Sequence, residues 1–525
     1  MSTPVLRRMA SRSALHPVLE RPARPVPWYL WLLAAMVGAL AGFGIASKVL
    51  GVLIFGGAFL LWGIAQTIAR PIVGFYFCLA FYPFYTFFRG LAMYLKLPLP
   101  MSLLGLWPEV VLTIMGAGVI IGCIRSGQRL RLTWNDVPVG FLVASGVYAM
   151  LISLAEREPV AAVYGFHATV TPLIFYTVAR WLQITRQDLY RAVLFWVIPF
   201  ALLALLSLVD YFVRPQLTIE IAILVRDGFW KHWDPYMFFR WYPRMQSLMF
   251  SEQFWGTICG MVSVLCLSLW SLRPRPKWVV PVFWLALVCL VFSMSRGALI
   301  DWAVAIVVLM LFRGRHRVVV PVTVAVTVLA GVVLAIQFGD KDSVDTLVDR
   351  ITALADSDNT NAYDRIGQWK YALEYFPLFP AGRGLGRAGS QALFHGTGDG
   401  SMAIADGGYF KIMAEEGLPG LLLFTVGGIG FVLVLLRLLQ FYRNEQRNTV
   451  EYALGRALLC MLCGLLVHNV GGNIFDAYYI QPTFWLFAGF FVTHAEQQTA
   501  RKTLPALHPS VHPPLIERGQ KGETS

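Results

Sequence analysis

A succession of long apolar runs constrains this chain more than any other feature. Segments of about 17–25 apolar residues cross a lipid bilayer as helices. Such runs lie near 28–47, 49–69, 72–93, 103–124, 137–154, 160–182, 191–212, 253–272, 278–294, 297–312, 318–337, 417–437, 455–472 and 479–495. By the same length rule they predict about fourteen spans. The expected fold class is an all-α polytopic membrane protein, with a large, partly helical external loop between late spans.

The composition agrees with a membrane protein. Of the 525 residues, 57% are hydrophobic and only 14% are charged, and the mean hydropathy is +0.61. Soluble proteins carry roughly 25% charged residues. The formal net charge of +13 could suggest nucleic acid, but the basic residues collect in short loops and tails, so we predict no nucleic-acid partner. All seven cysteines lie in apolar segments, which argues against a disulfide framework.

The basic loops predict the orientation of the chain. Cytoplasmic loops of membrane proteins carry an excess of lysine and arginine. Alternate short loops here are basic, at 125–131, 186–191, 273–277, 313–317 and 443–447. This pattern places both termini in the cytoplasm and two large loops outside. The predicted parts are a disordered basic arm (1–27), N-terminal spans (28–212), a first external loop (213–252), spans carrying Arg296 (253–337), a large catalytic loop (338–416), C-terminal spans (417–495) and a disordered tail (496–525).

Arginines on the predicted outer side are the first chemical signal. Positive charge is usually in excess on the cytoplasmic side, so Arg244 and Arg296 on the outer side are unexpected. Arg296 also lies between two apolar runs, where an unpaired charge is costly. One interpretation is a structural pair between Arg296 and Asp301. The other is that these arginines converge on an anion, since guanidinium matches phosphate with two donors at once. A diphosphate at the membrane surface fits that pattern.

Asp406 is the second signal, because it lies among glycines just before the chain re-enters an apolar run. A partly desolvated carboxylate can serve as a general base. The structural alternative is a helix N-cap. Glu415 and Glu416, further along, are expected to form a solvated helix end. Three polar residues inside spans are expected to face the bundle interior and bond a neighbour: Glu109, His167 and Arg180.

The glycine-rich run Gly382-Arg-Gly-Leu-Gly-Arg387 lacks the Gly-Lys-Ser/Thr ending of a P-loop, so it supports nucleotide binding only weakly. His395, His468 and Asp399 show no paired spacing of metal ligands. We therefore predict no metal and no cofactor.

Four motifs in order resemble the O-antigen ligase / O-antigen polymerase superfamily of bacterial inner-membrane glycosyltransferases. They are Arg244-Met-Gln-Ser-Leu-Met-Phe-Ser-Glu252, then Ser293-Met-Ser-Arg-Gly-Ala298, then Arg365-x-x-x-Trp369 with Pro-Ala-Gly-Arg-Gly-Leu-Gly386, and finally the segment from Asp406 to Leu421. The resemblance covers roughly 242–485; the earlier spans match only as generic hydrophobic helices.

The resemblance implies transfer of a glycan from an undecaprenyl-diphosphate carrier to an acceptor hydroxyl on the periplasmic side, inverting and independent of metal. Arg244 and Arg296 would hold the diphosphate as it leaves, and Asp406 would orient or deprotonate the acceptor. The predicted substrate-binding residues are Arg365, Arg383, Arg387 and Tyr409. Partners implied by the resemblance are the lipid-linked oligosaccharide, membrane lipid, a chain-length regulator and a flippase.

One departure bears on the reaction. Ligases of this superfamily usually have histidine where this chain has Asp406. That difference favours polymerisation of exopolysaccharide, capsule or O-antigen repeat units, with an O-antigen ligase as the alternative. A transporter or flippase for an anionic or lipid-linked substrate would also use outward-facing arginines, but the chain shows no internal repeat typical of such transporters. A non-catalytic anion-binding member of the same superfamily also stays open.

Overall fold

A computed structural model describes residues 61–85, 107–127, 132–182, 185–213, 245, 247, 251–293, 295–312, 367, 369–370, 372–374, 376–389, 407–445, 449–476 and 480–503. Within these ranges the secondary structure is helical and contains no strand, which confirms the all-α fold class. The chain divides into two compact units, Met1–Ala65 and Gln66–Ser525. In the first unit residues 61–65 are described, and they are helical. The remaining description concerns the second unit.

The helices of the second unit follow the predicted apolar runs closely. In chain order they are α1 (Pro71–Phe81), α2 (Trp107–Ser126), α3 (Val137–Ala155), α4 (Pro159–Thr169), α5 (Thr171–Arg180), α6 (Arg186–Val213), α7 (Glu252–Trp270), α8 (Val279–Ser293), α9 (Arg296–Leu311), α10 (Gly408–Glu445), α11 (Val450–Gly471) and α12 (Gln481–Thr503). Short 3-10 turns lie at Tyr82–Phe84, Trp134–Asp136, Phe376–Leu378 and Ile474–Asp476.

The predicted count of about fourteen spans is not confirmed. Among the described residues, 6 helices are long and apolar enough to cross a membrane, or up to 7 if α4 and α5, which meet at a bend of 45°, form one span. The predicted spans at 28–47 and 318–337 lie outside the described residues, and those at 49–69 and 72–93 are described only in part.

Helices α7 and α11 form the centre of the bundle. In α7 and α11, 83% and 78% of the most apolar window is buried, whereas the value for α2 is 22%. A helix that is apolar on all sides needs neighbours on all sides. Helix α7 packs on α8, α9 and α11, and α11 packs in addition on α9, α10 and α12. Residues of α7 and α11 are therefore well placed to support a site at either end of the bundle.

Small residues let these central helices approach closely. A side chain added at Gly256 of α7 would overlap Ser293 and Ala298, and one added at Gly464 of α11 would overlap Asp301 of α9. Membrane helices commonly pack through such small residues, because the apolar drive that brings helices together in water is absent in lipid. The contacts fix α7, α9 and α11 in register around the start of α9.

One end of the bundle carries a buried polar network that ties distant segments together. The guanidinium of Arg180 at the end of α5 bonds Asp136 (Nε to Oδ1, 2.6 Å) and Glu496 (Nη2 to Oε2, 2.7 Å). At the same end of the bundle, Arg186 pairs with Glu451 at 2.9 Å. This pair places the start of α6 beside the start of α11. The prediction that Arg180 faces the interior and bonds neighbours is confirmed.

The other two intramembrane polar residues pair with each other. His167 of α4 contacts Glu109 of α2 through Nδ1 and Oε1. This also confirms the prediction made for them, since each finds its partner inside the bundle.

One predicted boundary is corrected. The last helix continues past 495 to Thr503, because Glu496 accepts bonds from Arg180, Thr133 and Asn135 and so holds the helix beyond the apolar run. Residues 496–503 are therefore not part of a disordered tail.

The end of the predicted loop 338–416 is helical from Gly408 onwards. Helix α10 then breaks at Gly417 (φ 64°), where the predicted span 417–437 begins.

Candidate functional site

The four motifs meet at one end of the bundle. We call this the site end, defined by Arg296 and Gly297 at the start of α9, His468 near the end of α11, and Gly408 at the start of α10. The backbone N–H of Gly408 donates to the carbonyl of Gly472 at 3.3 Å, which joins the start of α10 to the end of α11. The opposite end carries Arg180 and Arg186.

The first motif docks against the helix that leads to the second. Arg244 lies outside the described residues, but its neighbour Met245 donates its N–H to the carbonyl of Phe292 at 3.0 Å. Ser247, with a positive φ of 55°, accepts a 2.7 Å bond from Ser207 of α6. The backbone beside Arg244 is thus fixed at the end of α8, next to the turn that precedes Arg296.

Arg296 is the first residue of α9. Ser295 caps this helix by accepting a bond from the N–H of Ala298 at 3.4 Å, and the Arg296 side chain is half-buried. The first turn of a helix presents free N–H groups and the positive end of the helix dipole. The motif therefore adds a guanidinium to a helix terminus that already favours anions.

Asp301 is engaged across a helix interface. Its side chain is buried, and its Oδ2 lies 3.7 Å from Nδ1 of His468 on α11. That distance is long for a hydrogen bond but within the range of an ionic contact. Asp301 therefore has a contact with His468, and the structural interpretation, in which Asp301 is the partner of Arg296, is not needed to explain its burial.

His468 is packed directly against the Arg296 motif. The amide nitrogen of Gln253 on α7 donates to Nε2 of His468 at 3.0 Å, and Thr257 lies 3.5 Å from Nδ1. A side chain added at Gly297 would overlap the imidazole ring. The glycine after Arg296 is thus required by the buried histidine that supports the first turn of α9.

The third and fourth motifs also join. Trp369 stacks on Phe410 with ring centroids 5.3 Å apart, and its indole nitrogen lies within 3 Å of where a side chain at Gly407 would begin. Arg365 and Asp406 lie outside the described residues. Helix α10 begins at Gly408, and Gly407 before it has φ +107°. The N-cap interpretation of Asp406 and its role as a base both stay predictions.

The glycine-rich run is a packing element rather than a phosphate cradle. The N–H groups of Arg383, Gly384 and Leu385 donate to carbonyls of Ala414, Glu415 and Ala149 at 2.8–3.1 Å. Their donors are used within the protein and do not point at a ligand. The positive φ of the glycines, such as 95° at Gly384, allows the run to press against the backbone of Ser153.

The side chains of the two arginines in this run lie apart from each other. Arg387 pairs with Glu156 in the turn between α3 and α4. The guanidinium of Arg383 lies over the ring of Phe379, 4.7 Å from its centroid. Both residues are half-buried. Substrate binding by Arg383 and Arg387 stays a prediction, and for Arg387 the structure adds a docking role.

The side chain of Tyr409 contacts α11. Its hydroxyl donates to the carbonyl of Leu466 at 2.9 Å, and its ring packs edge-on against Phe424. Substrate binding by this half-buried residue also stays a prediction.

A buried charged cluster lies beneath the start of α10. Glu415 and Glu416 are 1% and 2% exposed, so the prediction of a solvated helix end is wrong. Lys411 pairs with Oε2 of Glu415 at 3.0 Å, and Oε1 of Glu415 accepts the N–H of Ala388 at 2.9 Å. Glu416 accepts a hydrogen bond from Ser145 of α3. Burial of these carboxylates is offset by partners that come from distant parts of the sequence.

Several residues of the site were not found from the sequence. Gln253, His468 and Asn469 lie in apolar helical runs outside the four motifs. A usable signal was present in the spans, since polar residues inside membrane helices mark functional sites by default.

Comparison with known proteins supports the resemblance. Residues 281–425 match the family described as O-antigen ligase. That segment runs from α8 through the first half of α10, and it includes Arg296, Arg365, Asp406 and Tyr409 but not Arg244 or His468. A search of curated proteins gave no match. The family match supports membrane glycan processing of the O-antigen ligase and polymerase type, acting on lipid-linked glycan.

Proposed function

Because residues 281–425 match the O-antigen ligase family, we propose that the chain is a membrane glycosyltransferase. It polymerises undecaprenyl-diphosphate-linked oligosaccharide repeat units of an exopolysaccharide, capsule or O-antigen. The observation that carries the proposal is the meeting of all four motifs at the site end, with Arg296 on the first turn of a capped helix.

The topology follows from the basic loops. We place the site end in the periplasm, both termini in the cytoplasm and about fourteen spans in the inner membrane. The contact between Arg186 and Glu451 supports this arrangement, because it brings two of the predicted cytoplasmic junctions to the end opposite the site.

Arg296 and Arg244 hold the diphosphate of the donor. As the bond between the anomeric carbon and the phosphate oxygen breaks, negative charge grows on the leaving diphosphate. Two guanidinium groups and the positive end of the α9 dipole stabilise that charge more in the transition state than in the ground state. The buried His468, which Gln253 contacts, keeps the first turn of α9 in place.

Asp406 acts on the acceptor. It removes the proton from the attacking hydroxyl while that oxygen bonds the anomeric carbon from the face opposite the diphosphate. The products are a glycan lengthened by one unit, with inverted configuration at the new bond, and undecaprenyl diphosphate. Such a general base contributes roughly 10²–10⁴-fold to the rate.

Purified protein in lipid nanodiscs, supplied with lipid-linked repeat units from the host, tests the proposal. Growing chains with release of undecaprenyl diphosphate support a polymerase. Transfer to lipid A core only when core is added supports the ligase alternative. No covalent change, with movement of the lipid across a vesicle bilayer, would point to a flippase and overturn the proposal. The Asp406→Asn variant should lose most of the polymer while it still binds donor.

A further inference from the structure

A small pocket lies beneath Gly408, between α10, α11 and the bend that joins α4 to α5. Its apolar wall includes Phe424, and its polar lining comes from Thr169, Lys411, Glu415, Glu416, Asn469 and Asn473. The space inside admits about one water-sized group beyond the lining side chains. Only one functional group of a larger ligand can enter.

Asn469 is the feature that points to a ligand. The residue is 0% exposed, and neither its amide oxygen nor its amide nitrogen has a hydrogen-bond partner in the described part of the chain. The hydroxyl of Thr169, on the opposite wall, is likewise buried without a partner there. Buried polar groups are nearly always bonded, because leaving them without a partner costs stability. Two such groups facing one pocket therefore indicate a polar guest.

The charges around the pocket argue against an anionic guest. Lys411 is paired with Glu415, and Glu416 adds a second carboxyl group, so carboxyl groups outnumber the single ammonium. A phosphate would meet net repulsion. An amide offers one acceptor and one donor group, which a hydroxyl satisfies by donating and accepting at once.

The position of the pocket connects it to the proposed reaction. Asn469 follows His468 on α11, and His468 contacts Gly297, the residue after Arg296. On its other side Asn469 packs against Gly408, two residues after Asp406. The pocket therefore lies between the turn that carries the donor arginine and the segment that carries the proposed base.

We propose that this pocket receives a hydroxyl or hydroxymethyl group of the acceptor sugar, held by Asn469 and Thr169. The proposal rests on the proposed function and deepens it, because it assigns the acceptor's orientation to residues outside the four motifs. With one hydroxyl locked in the pocket, a neighbouring hydroxyl of the same sugar is directed toward Asp406.

Equilibrium binding of the free repeat-unit oligosaccharide, prepared by hydrolysis of the host's polymer, tests the pocket without the diphosphate. Asn469→Leu keeps the approximate shape and removes both polar groups, and Thr169→Val removes one. We expect the Kd to rise about tenfold for Asn469→Leu and less for Thr169→Val, since each lost bond is a modest term. Thr425→Val is the matched control, because Thr425 is exposed and its hydroxyl donates to the carbonyl of Leu421 on its own helix.

Thermal unfolding of the same variants separates a ligand site from a structural one. If Asn469 awaits a ligand, the leucine variant should unfold at the same or a higher temperature while it binds the oligosaccharide more weakly. A lower unfolding temperature with unchanged binding would mean that the pocket holds a structural water only, and would overturn the proposal. Absence of oligosaccharide binding by the unmodified protein would overturn it too.

The failure of the pocket can be told apart from the failure of the proposed function. If the Asn469→Leu protein polymerises lipid-linked units with an unchanged acceptor KM, the pocket proposal is wrong and the polymerase proposal stands. Oligosaccharide binding that depends on Asn469, without any polymerisation, would leave the pocket and remove the polymerase.

Discussion

Replacing Gly297 by alanine is a small change with a large expected effect, because the added methyl group would overlap the imidazole of His468. The ring has little freedom to move aside. It is 3% exposed and is held by Gln253 at 3.0 Å, with Asp301 and Thr257 close to its other nitrogen. The overlap must therefore shift either the ring or the first turn of α9, which carries Arg296.

The expected magnitude is the balance of two terms. Forcing an extra methyl group into a packed interior costs about 1–3 kcal/mol. Alanine in place of glycine in a helix returns about 0.5–1 kcal/mol. The net destabilisation of Gly297→Ala then lies between about 0 and 2.5 kcal/mol, centred on roughly 1 kcal/mol, and activity should fall further because Arg296 moves with the turn.

Thermal unfolding of the purified protein and polymerisation in nanodiscs are the two measurements. Gly140→Ala is the matched control: Gly140 lies in the first turns of α3, and a side chain there meets open space. Combining Gly297→Ala with His468→Ala should restore part of the lost stability, since the two changes share one contact. A Gly297→Ala protein as stable and active as the Gly140→Ala control would refute the packing of His468 against the arginine turn.

Three further predictions concern the rest of the molecule. Arg180→Ala should destabilise the fold by about 3–5 kcal/mol, because it leaves the buried Asp136 and the half-buried Glu496 without their shared guanidinium, and size-exclusion chromatography should show a sharply lower yield of folded protein. Arg387→Glu should reduce activity and Glu156→Arg should restore it in the double variant if the pair docks the loop, whereas a substrate-binding Arg387 would not be rescued. Reporter fusions after Ser401 should be periplasmic and those after Arg315 cytoplasmic; a cytoplasmic signal at Ser401 would contradict the proposed topology.

The helices were the most predictable part of the fold. Apolar length alone located α3, α7, α8 and α11 to within a few residues, because membrane spans are defined by one strong physical requirement. It placed the start of that span at 417, where α10 breaks at Gly417, but it took Glu415 and Glu416 for a solvated helix end, and both are buried. Their burial depends on partners that are distant in sequence, which hydropathy does not report.

The motifs of the candidate site were predictable from the sequence, but the buried residues that pack against them were not. The Ser-Arg-Gly pattern directed attention to Arg296, and the structure explains the glycine by the ring of His468. Nothing local to His468 or Asn469 marks them, because their roles arise from the faces that α11 turns toward α9 and α10. The glycine-rich run resembles a phosphate-binding loop in sequence, but its N–H groups donate to carbonyls of neighbouring segments.

The grip of Arg296 on the leaving diphosphate is best measured by turnover of lipid-linked units by the Arg296→Lys protein. Lysine keeps the charge and loses the two-pronged geometry. We expect kcat/KM to fall by about 10²–10³-fold, as for removal of one preorganised donor, with folded yield unchanged. Arg275→Lys, an exposed arginine stacked on Trp270 at the opposite end, is the control. If the Arg296→Lys protein turns over within about twofold of the unmodified enzyme, far short of the loss expected for such a donor, Arg296 does not hold the diphosphate.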